Sequence, residues 1–220
     1  MSKYEYIAFD LDGTLTDPAK GLVEGFVYAF RKMGIDYGNP EDLRKYIGPP
    51  LLESWKNELN LSYEEAERMV LIFREYYNVY GWWENMLYPG IKELLCRLKG
   101  EGKKLIVATS KPEDTAKRVL SLFGIDGYFD FIGGADGHKK RDKKWEVLEY
   151  SLRSVGVEPS SPLKEKCILV GDRKYDAEGA NKCGISSLGI TWGHGGTEEL
   201  SAAGFDYILN TPEEVFELLK

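Results

Sequence analysis

The sequence is poor in the residues that many catalytic and metal sites require. It contains only two histidines, His138 and His194, and three cysteines in 220 residues. So few histidines give little support to a Ser-His-Asp hydrolase or to a histidine-based metal site. The cysteines are odd in number and widely spaced, which indicates reduced thiols rather than a disulfide framework or a zinc site. They are Cys96, Cys167 and Cys183.

Basic charge and long apolar segments are also scarce. The formal net charge of -7 at pH 7 disfavours a nucleic-acid polymer or an anionic membrane surface as a partner. No apolar run reaches the roughly 18 residues that a membrane-spanning helix needs. The first residues lack the apolar segment of a signal peptide, so we expect a cytoplasmic protein. With 43% hydrophobic and 30% charged residues, the composition is that of a folded globular protein.

The hydrophobic pattern separates an α/β core from an inserted helical segment. Residues 17–86 show helical periodicity and capping signals without a strand pattern, which predicts a small helical bundle. Outside this segment, short apolar strands alternate with helices, as in a parallel sheet covered on both faces. We therefore predict a doubly wound, Rossmann-like α/β core made of residues 1–16 and 87–220, with residues 17–86 as an α-helical insertion.

The predicted strands matter because ligands bind at the carboxyl ends of strands in an open parallel sheet. The predicted core strands are 4–9, 104–108, 129–132, 166–170, 187–191 and 207–209. The predicted core helices are 91–99, 112–123, 143–155, 175–183 and a last helix capped by Thr211 and Glu214. The residues directly after each strand are therefore the candidates for binding and catalysis.

Two pairs of aspartates lie after two of these strands. Asp10 and Asp12 come after the first strand, although Asp-Gly is also a common turn sequence. Asp172 and Asp176 lie at a loop-to-helix junction, where helix capping is the structural alternative. Four carboxylates at one sheet edge repel one another unless a cation is present. Oxygen ligands favour a hard ion, Mg2+ in particular.

A second polar group comes after the strand at 104–108. Thr109, Ser110 and Lys111 precede a helix that begins near Pro112. Hydroxyls and free N–H groups at a helix start can hold a phosphate, and ordinary N-capping is the alternative. Because Mg2+ in proteins is commonly completed by substrate phosphate, the combination indicates phosphoryl transfer.

These motifs resemble the haloacid dehalogenase-like superfamily of phosphohydrolases. The matching residues are Asp10-Leu11-Asp12-Gly13-Thr14, Thr109-Ser110-Lys111, a lysine near 144, and Gly171-Asp172 with Asp176. The resemblance covers the whole chain, with residues 17–86 as a helical cap domain, and is greatest to the phosphoglycolate phosphatase-like branch. It implies a Mg2+-dependent phosphatase that acts on a small phosphorylated metabolite, such as phosphoglycolate or a nucleoside monophosphate.

The resemblance also implies a role for each site residue. Asp10 would attack phosphorus to form an aspartyl-phosphate, and Asp12 would act first as general acid and then as general base. Thr109 and Ser110 would bind the phosphoryl oxygens, and a lysine would neutralise developing charge. The implied metal ligands are Asp10, Asp12 through its backbone carbonyl, Asp172, and Asp176 through water.

The site lysine requires a choice because residues 138–144 contain four lysines. In the following helix, Lys144 lies near the middle of the apolar stripe, and Lys143 lies about 100° away. The family spacing before Glu146 agrees with this choice. We therefore predict Lys144, with Lys143 as the alternative and Lys111 as a third choice.

Other functions are compatible with the same motifs. A phosphomutase would pass the phosphoryl group from Asp10 to another hydroxyl. A haloacid dehalogenase would not need Asp12 or the metal acids, and a non-catalytic regulatory protein would only sense phosphate. The cap is expected to select the substrate, with the loop 47–50 and Trp82–Trp83 as candidate contacts. The sequence leaves the substrate and the oligomeric state open.

Overall fold

The computed structural model describes residues 3–48, 50–136 and 141–220. Pro49 of the candidate cap loop, and His138, Lys139 and Lys140 of the basic run, lie outside the described residues. The chain forms two compact units. The larger comprises Met1–Thr16 with Leu87–Lys220, and the smaller comprises Asp17–Met86.

A six-stranded sheet is the centre of the larger unit. The described residues form the strands β1 (Tyr6–Phe9), β2 (Thr16–Asp17), β3 (Met86–Leu87), β4 (Lys104–Pro112), β5 (Phe131–Ala135), β6 (Cys167–Gly171), β7 (Ser186–Ile190) and β8 (Tyr207–Leu209), and all except β2 and β3 belong to this sheet. The sheet order is β5-β4-β1-β6-β7-β8, with every neighbouring pair parallel, while β2 and β3 pair separately. The predicted α/β fold with a parallel sheet is confirmed.

Helices occupy the connections between the strands. In the smaller unit they are α1 (Ala19–Met33), α2 (Leu51–Glu58) and α3 (Tyr63–Tyr77). In the larger unit they are α4 (Ile91–Gly100), α5 (Glu113–Leu122), α6 (Lys144–Ser154), α7 (Lys174–Cys183), α8 (Thr197–Ala203) and α9 (Pro212–Leu219). Among the described residues, no helix is both long and apolar enough to cross a membrane.

Several element boundaries differ from those predicted. β4 continues through Thr109 to Pro112, past the predicted end at Ala108, with a shift of register before it pairs with Ala135. The strand predicted at 129–132 is found at Phe131–Ala135. The sequence pattern missed β2, β3 and α8, because two-residue strands and a seven-residue helix are too short to show a clear period.

The middle of the sheet brings the ends of three strands together. β1, β4 and β6 are largely buried apolar runs, as expected of strands covered on both faces. In the parallel register, Phe9 lies opposite Val107 on one side and Val170 on the other. The residues that come immediately after these three positions therefore lie at the same edge of the sheet.

Aromatic packing forms the core of the smaller unit. The Trp55 side chain is fully buried and meets the rings of Phe26 and Phe30 edge-on at centroid distances of 5.8 and 6.0 Å. α3 begins with a capping box, in which the Ser62 hydroxyl accepts the Glu65 N–H and the Glu65 carboxylate accepts the Ser62 N–H. Residues 17–86 thus form a helical bundle with its own core.

Candidate active site

Three carboxylates form a compact cluster at the carboxyl edge of the sheet. Asp10 comes after β1, Asp172 comes after β6, and Asp176 lies in the first turn of α7. Each contributes a carboxylate oxygen to a group in which all such oxygens lie within 4.8 Å of one another. Asp172 and Asp176 are buried at 0% and 2% exposure. All three donors are oxygens, so the cluster fits a hard divalent cation such as Mg2+.

Lys144 joins two members of this cluster. Its Nζ lies 2.6 Å from Asp10 Oδ1 and 2.7 Å from Asp176 Oδ1, and its side chain is 7% exposed. Gly179 of α7 makes room for this side chain, because a Cβ there would lie 2.9 Å from Lys144 Cγ. Lys143 is exposed instead. The structure therefore places Lys144, rather than Lys143, beside Asp10.

Burial and neighbouring charges shift the pKa values of the groups in this cluster. Burial raises the pKa of Asp172 well above its usual value, and the neighbouring Asp176 and Asp10 raise it further. Burial also raises the pKa of Asp176 to about 6, although Lys144 opposes this shift. Burial disfavours the charge of Lys144, but Asp10 and Asp176 outweigh it and raise its pKa. The single Lys144 ammonium contacts two of the three carboxylates, and the cluster therefore keeps negative charge that a divalent cation would balance.

Asp12 has a different partner from its neighbour Asp10. Its Oδ2 lies 2.7 Å from the Nζ of Lys111, whose side chain is only 4% exposed. Asp12 Oδ1 is buried without a hydrogen-bond partner among the described residues. Lys111, the third choice for the lysine beside Asp10, thus contacts Asp12. The two neighbouring aspartates are therefore paired with different lysines.

Thr109 and Ser110 lie in the last part of β4, at the same edge as the acids. Thr109 is buried, and its hydroxyl accepts the N–H of Lys111 at 3.2 Å. Ser110 is exposed. β4 extends through these residues and α5 begins at Glu113, so Thr109 and Ser110 lie in a strand and do not cap the helix, which was the structural alternative. Their predicted role in binding phosphate stays a prediction.

The loop between β7 and α8 contributes contacts that the sequence interpretation missed. His194 donates its backbone N–H to Asp172 Oδ2 at 2.7 Å. The Trp192 indole N–H donates to the Thr14 carbonyl at 3.1 Å, and the Thr14 hydroxyl donates to Asp172 Oδ1 at 3.2 Å. One feature of the sequence could have pointed to these contacts. The glycine-rich run after Trp192 follows a predicted core strand, and ligands bind at the carboxyl ends of such strands.

Several curated proteins are similar to this chain over most of its length. A 5'-nucleotidase from Pseudomonas aeruginosa is 37% identical over 91% of this chain and 88% of its own. A phosphoglycolate phosphatase from Aquifex aeolicus is 31% identical over 97% of this chain and 95% of its own. Tyrosine-protein kinase PtkA from Mycobacterium tuberculosis is 38% identical over 87% of this chain but only 63% of its own.

A solved structure and a family model point to the same group of proteins. The crystal structure of a predicted phosphatase from Clostridium acetobutylicum superimposes with a TM-score of 0.91 at 38% identity, covering 97% of each chain. Residues 7–190 match the family model described as haloacid dehalogenase-like hydrolase. The resemblance stated from the motifs is confirmed. The chain belongs to the haloacid dehalogenase-like hydrolase family and is a phosphatase, a phosphoric monoester hydrolase.

Proposed function

We propose that this phosphatase hydrolyses a small phosphorylated metabolite with Mg2+ as cofactor and an aspartyl-phosphate on Asp10 as intermediate. The observation that carries the proposal is the position of Asp10. Its carboxylate lies at the end of a central strand, within the acidic cluster and beside the Lys144 ammonium. The Lys144 ammonium and the metal would both attract the negatively charged phosphoryl group. The Asp10 carboxylate, which lies beside both positions, could then attack the phosphorus.

The metal would be held by oxygen atoms of four aspartates at the carboxyl edge of the sheet. Asp10 and Asp172 would offer carboxylate oxygens, Asp176 would act through bound water, and the Asp12 carbonyl would add a further oxygen. When bound, Mg2+ would neutralise charge on the phosphoryl oxygens and orient them for in-line attack. The cluster of oxygens within 4.8 Å supports this assignment.

The first chemical step forms one bond and breaks another. A carboxylate oxygen of Asp10 attacks phosphorus, and the bond between phosphorus and the leaving oxygen breaks. Asp12 donates a proton to that oxygen, so that the product leaves as a neutral alcohol. Lys111, paired with Asp12 Oδ2, holds this carboxyl group in place. Lys144 holds Asp10 and balances its charge.

The second step regenerates the enzyme. Asp12, now a carboxylate, accepts a proton from water as the water oxygen attacks phosphorus. The bond between phosphorus and Asp10 breaks, and inorganic phosphate leaves. Thr109 and Ser110 would hold the non-transferring phosphoryl oxygens through a hydroxyl and a backbone N–H. A phosphomutase would differ here, because a second substrate hydroxyl would take the place of water.

The relatives suggest which substrates to test first. One is named a 5'-nucleotidase and another a phosphoglycolate phosphatase, so nucleoside monophosphates and phosphoglycolate are the leading candidates. We propose that residues 17–86 serve as the cap domain that selects among such substrates. A bundle of this size favours a small molecule over a macromolecular substrate.

The deciding experiment is a phosphate-release screen. The chain is incubated with phosphoglycolate, nucleoside monophosphates, sugar phosphates, pyrophosphate and a phosphotyrosine peptide, with Mg2+ or with a chelator. We expect release of inorganic phosphate from a small monoester only with Mg2+. Formation of an isomeric phosphate without free phosphate would identify a mutase. Release that persists in Asp10→Asn would exclude the proposed intermediate.

A further inference from the structure

We propose that the segment 192–195, between β7 and α8, is a positioning element that fixes the Asp172 carboxylate for metal binding. We call it the Asp172 clamp. This inference rests on the proposed function, because it assigns residues to the binding of the same metal. None of the clamp residues needs to touch substrate or the reacting atoms.

The hydrogen bonds to Asp172 come from both sides of the carboxylate. Its Oδ2 accepts the His194 backbone N–H at 2.7 Å, and its Oδ1 accepts the Thr14 hydroxyl at 3.2 Å. A carboxylate can accept about four hydrogen bonds, so each oxygen keeps a lone pair for a further ligand. The two donors therefore fix the rotation of the carboxylate while leaving it able to bind a cation.

Close packing against two glycines also restricts Asp172. A Cβ at Gly193 would lie 2.3 Å from Asp172 Cβ and 2.4 Å from the Gly13 carbonyl oxygen. A Cβ at Gly195 would lie 1.9 Å from the Asp172 carbonyl oxygen. Neither glycine has a positive φ, so glycine is required here for close approach rather than for an unusual backbone conformation.

Three further hydrogen bonds, one from the clamp and two from the following helix α8, reach the loops that carry the acids. The Trp192 indole N–H donates to the Thr14 carbonyl, which ties the clamp to the loop after β1. Glu199 of α8 accepts the Arg173 Nε–H and the Lys174 backbone N–H, both at 2.9 Å. The two residues directly after Asp172 are therefore held by α8, and a small shift of the clamp would move the carboxylate.

The glycine run supplies its own matched control. Gly196 is exposed, and a Cβ there would have no neighbour within 4 Å. We expect Gly193→Ala to weaken Mg2+ binding by about 10- to 100-fold, the range for outer-shell changes at metal sites. Gly196→Ala should leave it unchanged. Trp192→Phe keeps most of the ring but loses one hydrogen-bond donor, and should weaken Mg2+ binding about 5-fold.

The measurement is titration calorimetry with Mg2+ alone, on the full chain without substrate, together with thermal unfolding in a chelator. Asp172→Asn serves as the reference for a lost ligand. Equal Mg2+ affinity in folded Gly193→Ala and Gly196→Ala would overturn the clamp. If Gly193→Ala does not fold, Trp192→Phe decides, and wild-type affinity in that variant would overturn it. Equal weakening by Gly196→Ala would also overturn it.

The same titration separates the clamp from the proposed function. If the wild-type chain does not bind Mg2+, both are wrong. If the wild type binds Mg2+ and Asp172→Asn does not, the metal site stands whatever the clamp variants show. Weak binding in Gly193→Ala with a melting temperature in chelator close to that of Gly196→Ala would show a positioning effect rather than general destabilisation.

Discussion

Asp10 and Asp12 are separated by one residue but have different partners. Asp10 lies with Lys144 at 2.6 Å and with the acidic cluster, whereas Asp12 forms an ion pair with Lys111 at 2.7 Å. The chain turns directly after them, at Gly13, with φ of +89° and an N–H bonded to the Thr16 carbonyl. Different surroundings suit two carboxylates that are proposed to perform different chemistry.

Replacing each of these two aspartates should give distinguishable defects. Asp10→Asn removes the nucleophile, so we expect turnover to fall by at least about 10³-fold with no phosphoenzyme. Asp12→Asn keeps the nucleophile but removes the proton donor and acceptor, so we expect about 10²- to 10⁴-fold slower turnover. Rapid quench with a 32P-labelled substrate should show slow labelling of Asp12→Asn. An unchanged steady-state rate in Asp12→Asn would remove its acid/base role.

Lys144 and Lys143 form a natural test pair. Lys144→Met leaves the buried Asp10 and Asp176 carboxylates without their shared cation, so we expect a loss of about 3–5 kcal/mol of unfolding free energy in chelator. Activity should also fall by about 10²-fold or more. Lys143→Met changes an exposed side chain and should alter neither quantity. Urea unfolding and initial rates check both, and equal behaviour of the two variants would contradict the assignment.

At this scale, helical periodicity predicted the position of Lys144 but could not predict the partner of Lys111. Lys144 lies on the buried stripe of its own helix, which nearby residues reveal. Lys111 and Asp12 are 99 residues apart, and their pairing depends on β4 lying next to β1 in the sheet. Such long-range pairs leave no local signal in a single sequence.

At the scale of elements, close helix contact in the smaller unit depends on a glycine. α1 packs on α3, and a Cβ at Gly25 would lie 2.8 Å from the ring of Phe73. The Phe73 side chain is itself part of the aromatic core. The helices can therefore approach this closely only without a side chain at position 25.

Alanine at this position should destabilise the chain despite its better helix propensity. Gly25→Ala gains up to about 1 kcal/mol of helix propensity. We expect the clash with Phe73 to cost more, about 1–3 kcal/mol, and to leave a net loss. Gly100→Ala is the control, because a Cβ there meets nothing within 4 Å, and it should be neutral or slightly stabilising. Urea midpoints of the two variants check this; a stabilised Gly25→Ala would show that α1 and α3 adjust freely.

Long elements were predicted better than short ones and their ends. The alternation of strands and helices identified the core strands and most helices, because each has several residues of one period. α8 was missed, although its Glu199 holds the loop beside Asp172. The extension of β4 was also missed, since the residues after Ala108 continue the strand through pairing with β5 rather than through hydrophobicity.

At the level of the whole molecule, the three cysteines differ in their exposure to solvent. Cys96 is exposed, whereas Cys167 and Cys183 are buried. Burial raises the pKa of Cys167 from 9.0 to about 12 and that of Cys183 to about 11. Both thiols are therefore neutral below pH 9, and their full contribution to the free energy of unfolding is present there. Because the unfolded chain loses these protons first, that contribution is lost as pH rises from about 9 toward 11–12.

Thiol labelling should report this difference directly. In native protein at pH 8, we expect one thiol per chain to react rapidly with a disulfide reagent, and three in urea. Cys96→Ser should abolish the rapid phase, while Cys167→Ser should leave it intact. Three rapid thiols in the native state would show that the two buried cysteines are accessible.

The amino-acid sequence alone was sufficient for the fold class and the family, and it supplied the candidate residues of the site. Hydrophobic periodicity is local, and the aspartate motifs span only a few residues each, so both can be recognised along the chain. The folded chain was needed to show that Lys144 contacts Asp10 and Asp176, that Lys111 contacts Asp12, and that the loop after β7 holds Asp172. These contacts join residues from separate strand ends, and strand order in a parallel sheet depends on packing rather than on neighbouring residues.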